Sequence, residues 1–201
     1  MTGFKIVNLK LMIDEYGEET VRELVSSFSC PLNPDVEIFL RQKAIEFSKQ
    51  GLSQTHLVLA PFKGKPAIVG YFCLANKSIT IKRERLSHSQ RKRLSRFAFL
   101  HHETKTYILS APLIAQLGKN YADGLNELIT GDELLKMACD KISRVQYDVG
   151  GRYIYVECED KERLLSFYTS NGFFEFDHRM LDKDETDLSG KYLVQLLKYN
   201  H

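Results

Sequence analysis

No stretch of this 201-residue chain holds the roughly 18–20 consecutive apolar residues that a membrane-spanning helix needs. The N-terminal residues Met1 to Ile6 also lack the apolar core and small-residue cleavage site of a secretory leader. Both absences point to a cytoplasmic protein with no membrane partner. Cysteine is sparse: Cys30, Cys73, Cys139 and Cys158 stand far apart, without a C-x-x-C pair or a Cys/His cluster, so reduced core residues are expected and no metal site. Excess charge of either sign is missing too. With 28 Lys and Arg against 26 Asp and Glu the formal charge is +2, and composition alone demands no polyanionic partner and no DNA. Repeats and low-complexity linkers are lacking, and 43% hydrophobic with 27% charged residues suits one globular domain spanning 1–201.

Periodicity supplies the rest of the outline. Phe4–Ile13 alternates imperfectly, as an N-terminal strand would, and a helix is expected over Glu18–Ser26. Pro31 and Pro34 make the segment Ser29–Pro34 a turn. From Asp35 to Gly51 the spacing of Val36, Phe39, Leu40, Ala44, Ile45 and Phe47 predicts a helix with a buried stripe. Strands are expected at Thr55–Ala60, Ala67–Ala75 and Ser78–Lys82, with Gly70 marking either a bulge or close packing against a helix. Tyr107–Leu117 is apolar throughout, the pattern of a strand buried on both faces. Leu134, Leu135, Ala138, Ile142 and Val145 predict a helix from Asp132 to Tyr147; strand Arg152–Glu157, helix Asp160–Ser170 and strands Phe173–Phe176 and Tyr192–Tyr199 complete a mixed α/β order. His178–Gly190, with its acidic run Asp182–Asp187, reads as an exposed connection.

One segment is strongly biased. Lys82, Arg83, Arg85, Arg91, Lys92, Arg93 and Arg96 face a single acid, Glu84. Such a run is either a solvated surface or an electrostatic footprint for RNA, for phosphates or for an acidic partner. His101 and His102, at its exit, have no metal spacing.

Two further stretches carry chemistry. Asn126–Glu133 follows the apolar strand and opens the amphipathic helix, and a helix N-terminus offers free N–H groups and a positive dipole end to a phosphate. Later, Phe167-Tyr168-Thr169-Ser170-Asn171-Gly172-Phe173 resembles the Phe/Leu-Tyr-x-x-x-Gly-Phe signature of the GNAT superfamily of acyl-CoA-dependent N-acetyltransferases. Phe28-Ser29-Cys30 before the second helix, and Ile68 to Ala75, resemble stretches of its toxin-like subgroup.

The resemblance implies a GNAT-like fold: a mixed, mostly antiparallel central sheet flanked by helices, with two central strands splayed apart. It implies acetyl-CoA as co-substrate, no metal, and direct transfer of the acetyl group to a primary amine. By match, the pantetheine arm pairs with the strand end at Gln116, Leu117 and Gly118, and the pyrophosphate rests on the turn Asn126, Ile129, Thr130, Gly131 and Asp132. The turn departs from the family pattern at Asn126 and Ile129, and the β-branched Ile129 must avoid positive φ. Tyr168 is implied as the proton donor to the departing thiolate. No general base is assigned; Glu157, Glu159 and Asp160 are near in sequence, and acids at such a junction commonly cap a helix. The acceptor is expected to be a small amine or peptide, with two alternatives: toxin-like acetylation of aminoacyl-tRNA, or a degenerate domain that binds acyl-CoA or a protein without turnover. A homodimer is an expectation from fold analogy.

Overall fold

Asn8 ends the first strand and begins the first helix: in extended conformation (φ −77°, ψ 130°), its side chain accepts from Leu11 N at 3.1 Å. In the computed structural model, which describes residues 3–181 and 190–200, β1 is therefore only Lys5–Asn8 and α1 runs Leu9–Tyr16. The strand expected over Phe4–Ile13 is corrected to half strand and half helix. The acidic run 182–187 lies outside the described residues.

The chain divides into two compact units, one of residues 1–75 and 114–139, the other of 76–113 and 140–201. In the first unit, α2 (Glu18–Ser26) follows α1, and Asn33 caps α3 (Pro34–Ile38) with proline in its first turn, where a missing N–H costs nothing. A π turn over Phe39–Lys43 joins α3 to α4 (Ala44–Lys49), so the expected single helix is present with one wide turn inside it. Strand order here is β1, β2 (Gln54–Phe62), the first part of β3 (Lys65–Lys82) and the last part of β5 (Thr106–Lys119). The separate strand expected at Ser78–Lys82 is the continuation of β3. Both explanations of Gly70 hold: the β2–β3 register slips where Val58 faces Gly70 but Leu59 faces Ile68, and a Cβ on Gly70 would stand 2.9 Å from Gly118 O and 3.2 Å from Leu134 Cδ2. Leu9, Val21, Val25, Phe28, Leu40, Leu57 and Tyr71 form the core of this unit.

The second unit carries the rest of β3 and β5 with β6 (Tyr153–Glu159), β8 (Tyr192–Tyr199) and β7 (Phe174–Met180), in the order β3-β5-β6-β8-β7; β4 (Phe99–His101) also pairs with β5. Its helices are α5 (His88–Leu94), the later turns of α6 (Gly131–Val149) and α7 (Glu162–Ser170). Ile81, Leu94, Leu109, Tyr155, Phe176 and Leu197 anchor its core. Among the described residues the strands number eight, and the pairs β1/β2, β2/β3, β4/β5, β6/β8 and β7/β8 are all antiparallel.

Two expectations about burial are corrected. β5 alternates over its first half, with Tyr107, Leu109 and Ala111 inside and Ile108 and Ser110 outside, so that part is covered on one face only. Val145 is 46% exposed and does not belong to the stripe of α6. The four cysteines are buried and none is in a disulfide. Burial pushes the Cys158 thiol up to about 12, which leaves no reactive thiolate there at neutral pH.

Candidate functional site

β5 ends where Asn120 pins it. The buried Asn120 donates from Nδ2 to Ile68 O at 2.8 Å, while its Oδ1 accepts from Ser29 N at 3.0 Å and Ala122 N at 3.1 Å. One side chain thus fixes the strand end against β3 and the Phe28–Cys30 turn. Beyond it lies a 3₁₀ segment, Ala122–Leu128, kinked by Asp123 (φ 52°) and Gly124 (φ 77°). Ile129 itself is extended (φ −143°, ψ 140°) and buried, free of the strain that positive φ would impose, and it serves the core.

Lys119 holds this turn to the strand. Its Nζ donates to Asn126 O at 2.8 Å and to Ile129 O at 2.9 Å, so a cation sits under the segment expected to carry a diphosphate. The sequence reading missed it, since a lysine at a strand end reads as a solvated terminus. Thr130 and Glu133 then form a reciprocal cap on α6: Glu133 Oε2 accepts from Thr130 N and Oγ1, both at 2.9 Å, and Glu133 N donates to Thr130 Oγ1 at 3.2 Å. The bond from Thr130 N holds the Glu133 carboxyl below its ordinary value, with the Thr130 hydroxyl adding to it and Lys119 contributing last. The cap takes up the N–H groups of Thr130 and Glu133, so an arriving phosphate competes with an anion the chain itself supplies.

The structure thus brings Asn126, Ile129, Thr130, Gly131 and Asp132 into one turn, with Lys119 linking them to the strand carrying Gln116, Leu117 and Gly118. Gln116 is engaged by Asp35, donating to Oδ2 at 2.8 Å. Gly118 is buried, and a Cβ there would overlap Cγ1 of Val36, itself buried on α3. Gly118→Ala is therefore expected to destabilise the fold by about 1–3 kcal/mol through overpacking, read as a lower urea midpoint at unchanged m-value. A midpoint equal to that of the wild type would show that Val36 yields freely.

Tyr168, in the second unit, lies near the C-terminal end of α7, 7% exposed. Its ring meets Phe167 edge-on at 5.0 Å and Phe173 at 5.6 Å, while its carbonyl accepts from Asn171 N and Phe173 N at 3.1 Å. Gly172 (φ 83°) makes the turn after the helix, in a backbone conformation that favours glycine. Phe173 is core.

The nearby acids are already committed. Arg179 grips Glu157 with two bonds of 2.9 Å, and the Tyr155 hydroxyl and Gln195 Nε2 also donate to it. Burial works to raise the Glu157 carboxyl, but Arg179 and the other donors hold it below its ordinary value, so it is a poor proton acceptor. Glu159 pairs with Lys161 at 2.8 Å, and Asp160 accepts from Tyr192 OH at 2.6 Å. The base stays unassigned. Among the described residues no group of three or more His, Cys, Asp or Glu could hold a metal ion, and no helix is long and apolar enough to cross a membrane.

No family profile matches the chain, and no curated protein sequence matches it. Solved structures do. A tyrosine-to-phenylalanine mutant of KacT superposes with a TM-score of 0.63 at 14% identity, covering 96% of this chain and 94% of that one. AtaT complexed with acetyl-methionyl-tRNAfMet gives 0.60 at 14% identity, over 95% and 93%. AtaTR bound with AcCoA gives 0.55 at 14% identity, over 96% and 93%. These neighbours are GNAT-fold toxin acetyltransferases, and the chain has their fold. A KacTA–DNA complex, matched with a TM-score of 0.55 at 13% identity, conflicts with the expectation of no DNA partner.

Proposed function

We propose that the protein is an acetyl-CoA-dependent N-acetyltransferase, a single cytoplasmic catalytic domain that passes the acetyl group directly to a primary amine. The observation that carries this reading is the Lys119 staple, which joins the β5 end to the start of α6 through the carbonyls of Asn126 and Ile129. A strand end feeding an α-helix start is the arrangement a diphosphate requires, and a cation beside it adds the charge that Ile129 and Asn126 do not. The fold shared with a structure solved with AcCoA supports the same co-substrate.

In this reading the backbone at Gln116–Gly118 pairs with the pantetheine, amides around Gly131 meet the pyrophosphate, and Tyr168 is the acid. The amine nitrogen attacks the thioester carbonyl and forms the C–N bond. The C–S bond then breaks, the thiolate takes the phenolic proton, and the nitrogen gives up its own proton to water. For the acceptor, the AtaT complex with acetyl-methionyl-tRNAfMet favours the α-amine of an aminoacyl-tRNA over a small amine or peptide.

Calorimetry with acetyl-CoA tests the first part. Binding is expected, weakened about tenfold or more in Lys119→Met, since bonds from a charged donor contribute roughly 1.5–3 kcal/mol. No heat of binding to the folded wild type would sink the proposal. Binding without acetylated product from aminoacyl-tRNA or an amine panel would establish the degenerate alternative, and product from free amines alone would remove tRNA.

A further inference from the structure

The basic segment that the sequence singled out folds into a groove within the second unit. Lys82 at the end of β3, Arg83 and Glu84 of the 3₁₀ turn Arg83–Arg85, Arg91 of α5, and Thr104, Lys105 and Thr106 of the β4–β5 hairpin line a cavity of about 740 Å³. Backbone ties its walls: Arg83 N donates to Lys105 O at 3.0 Å, and Lys105 is held at φ 53° in the hairpin turn. Arg91 is oriented by its Nε, which donates to Leu86 O at 2.8 Å. Thr104 and Thr106 share a hydroxyl contact of 2.7 Å. Among the described residues no carboxylate forms an ion pair with Lys82, Arg83, Arg91 or Lys105, whereas Arg85 next to them points to Asp177 at 3.8 Å.

We infer that this groove seats the phosphodiester backbone of a nucleic acid. Four cations and two hydroxyls against one carboxylate form an anion site, and the guanidinium forks match phosphate oxygens. The lining holds no apolar or aromatic side chain. A protein partner draws its affinity from buried apolar anchors and finds none here, whereas a phosphodiester chain needs only cations and donors. The same composition provides no ring for a base to stack on and makes the contact indifferent to sequence. The inference goes beyond the transferase reading and stands without it, because acetyl-CoA binding is assigned to other residues.

The test is fluorescence anisotropy of the full chain with a labelled 20-nucleotide RNA at low salt, repeated with DNA of the same sequence. Wild type is expected to bind both within a few-fold, with affinity falling as salt rises at a log–log slope of about −2 to −3, three or four phosphates at roughly −0.7 each. Arg83→Glu/Lys105→Glu is expected to lose at least tenfold, and Arg83→Lys/Lys105→Arg to keep wild-type affinity. Lys92→Glu/Arg96→Glu, outside the groove, is expected to lose less than threefold. Failure of wild type to bind at low salt overturns the inference, as does binding untouched by Arg83→Glu/Lys105→Glu. Displacement of RNA by polyglutamate at equal charge concentration also overturns it, in favour of an acidic protein. Acetyl-CoA calorimetry on Arg83→Glu/Lys105→Glu is expected to match wild type, which reports folding and separates this failure from that of the transferase.

Discussion

Tyr168→Phe is expected to lower kcat by about a hundredfold or more while leaving the affinity for acetyl-CoA nearly unchanged, since a positioned proton donor contributes roughly 10²–10⁴ in rate. Phenylalanine keeps the ring and its edge-on contacts with Phe167 and Phe173, so the substitution removes the proton and little of the packing. The loss should fall on kcat alone, the signature of an interaction made as the thiolate leaves. Full activity on an identified acceptor would reduce Tyr168 to the aromatic edge of α7. Tyr168→Ala separates the two roles from the other side: it should lose both rate and stability, about 3–5 kcal/mol for the buried ring by analogy with phenylalanine truncation.

Where one local rule acts alone, the chain is legible. Glu18–Ser26 is a helix with two acids in its first turn, and Tyr192–Tyr199 is a strand with an apolar pattern, both at the limits read from residues. Trouble comes where a short-range bond competes with periodicity. Alternation continued past Asn8, but the Asn8 side chain caps Leu11 and turns the chain into a helix there. In β5, apolar composition suggested two covered faces, while Ile108 faces outward, 39% exposed; composition cannot say how many neighbours a sheet face has. Nothing in Phe39–Lys43 announces a π turn, and we have no physical account of it.

The candidate site divides the same way. The helix start at Gly131 and the Gly172 turn follow from residue type, because an amphipathic stripe and a positive-φ glycine are local properties. The order of Lys119, Asn120 and Glu133 in importance was invisible. Asn120 matters because it reaches Ile68 and Ser29, 52 and 91 residues away, and Lys119 because a kink at Asp123 and Gly124 returns the carbonyls of Asn126 and Ile129 to it. The first depends on long-range closure and the second on a local kink, and residue spacing encodes neither. The three acids at 157, 159 and 160 show the converse: sequence placed them near a helix start and left their roles open, and the structure gives each a partner.

Arg179→Leu should cost about 3–5 kcal/mol of stability at neutral pH, because it leaves Glu157 buried as an unpaired charge. Glu157 sits on β6 with only 10% of its side chain exposed, bridged to β7 through Arg179 and to β8 through Gln195. For a chain of this length the expected fall in Tm is roughly 6–20 °C. The sign of the pH dependence follows from the two carboxyl environments. In wild type the folded Glu157 carboxyl is depressed, so its contribution is present above the unfolded value of about 4.3 and is lost as pH falls through the lower folded value. In Arg179→Leu the guanidinium is gone and burial dominates, raising the carboxyl; the deficit is then full above that raised value and shrinks as pH falls toward about 4.3. Urea midpoints for both proteins at pH 7 and pH 5 should therefore converge on acidification. Arg179→Leu/Glu157→Leu, with no charge left to strand, is expected to recover most of the loss at pH 7. A deficit that is pH-independent and not recovered in the double variant would mean that Arg179 acts through its packing alone.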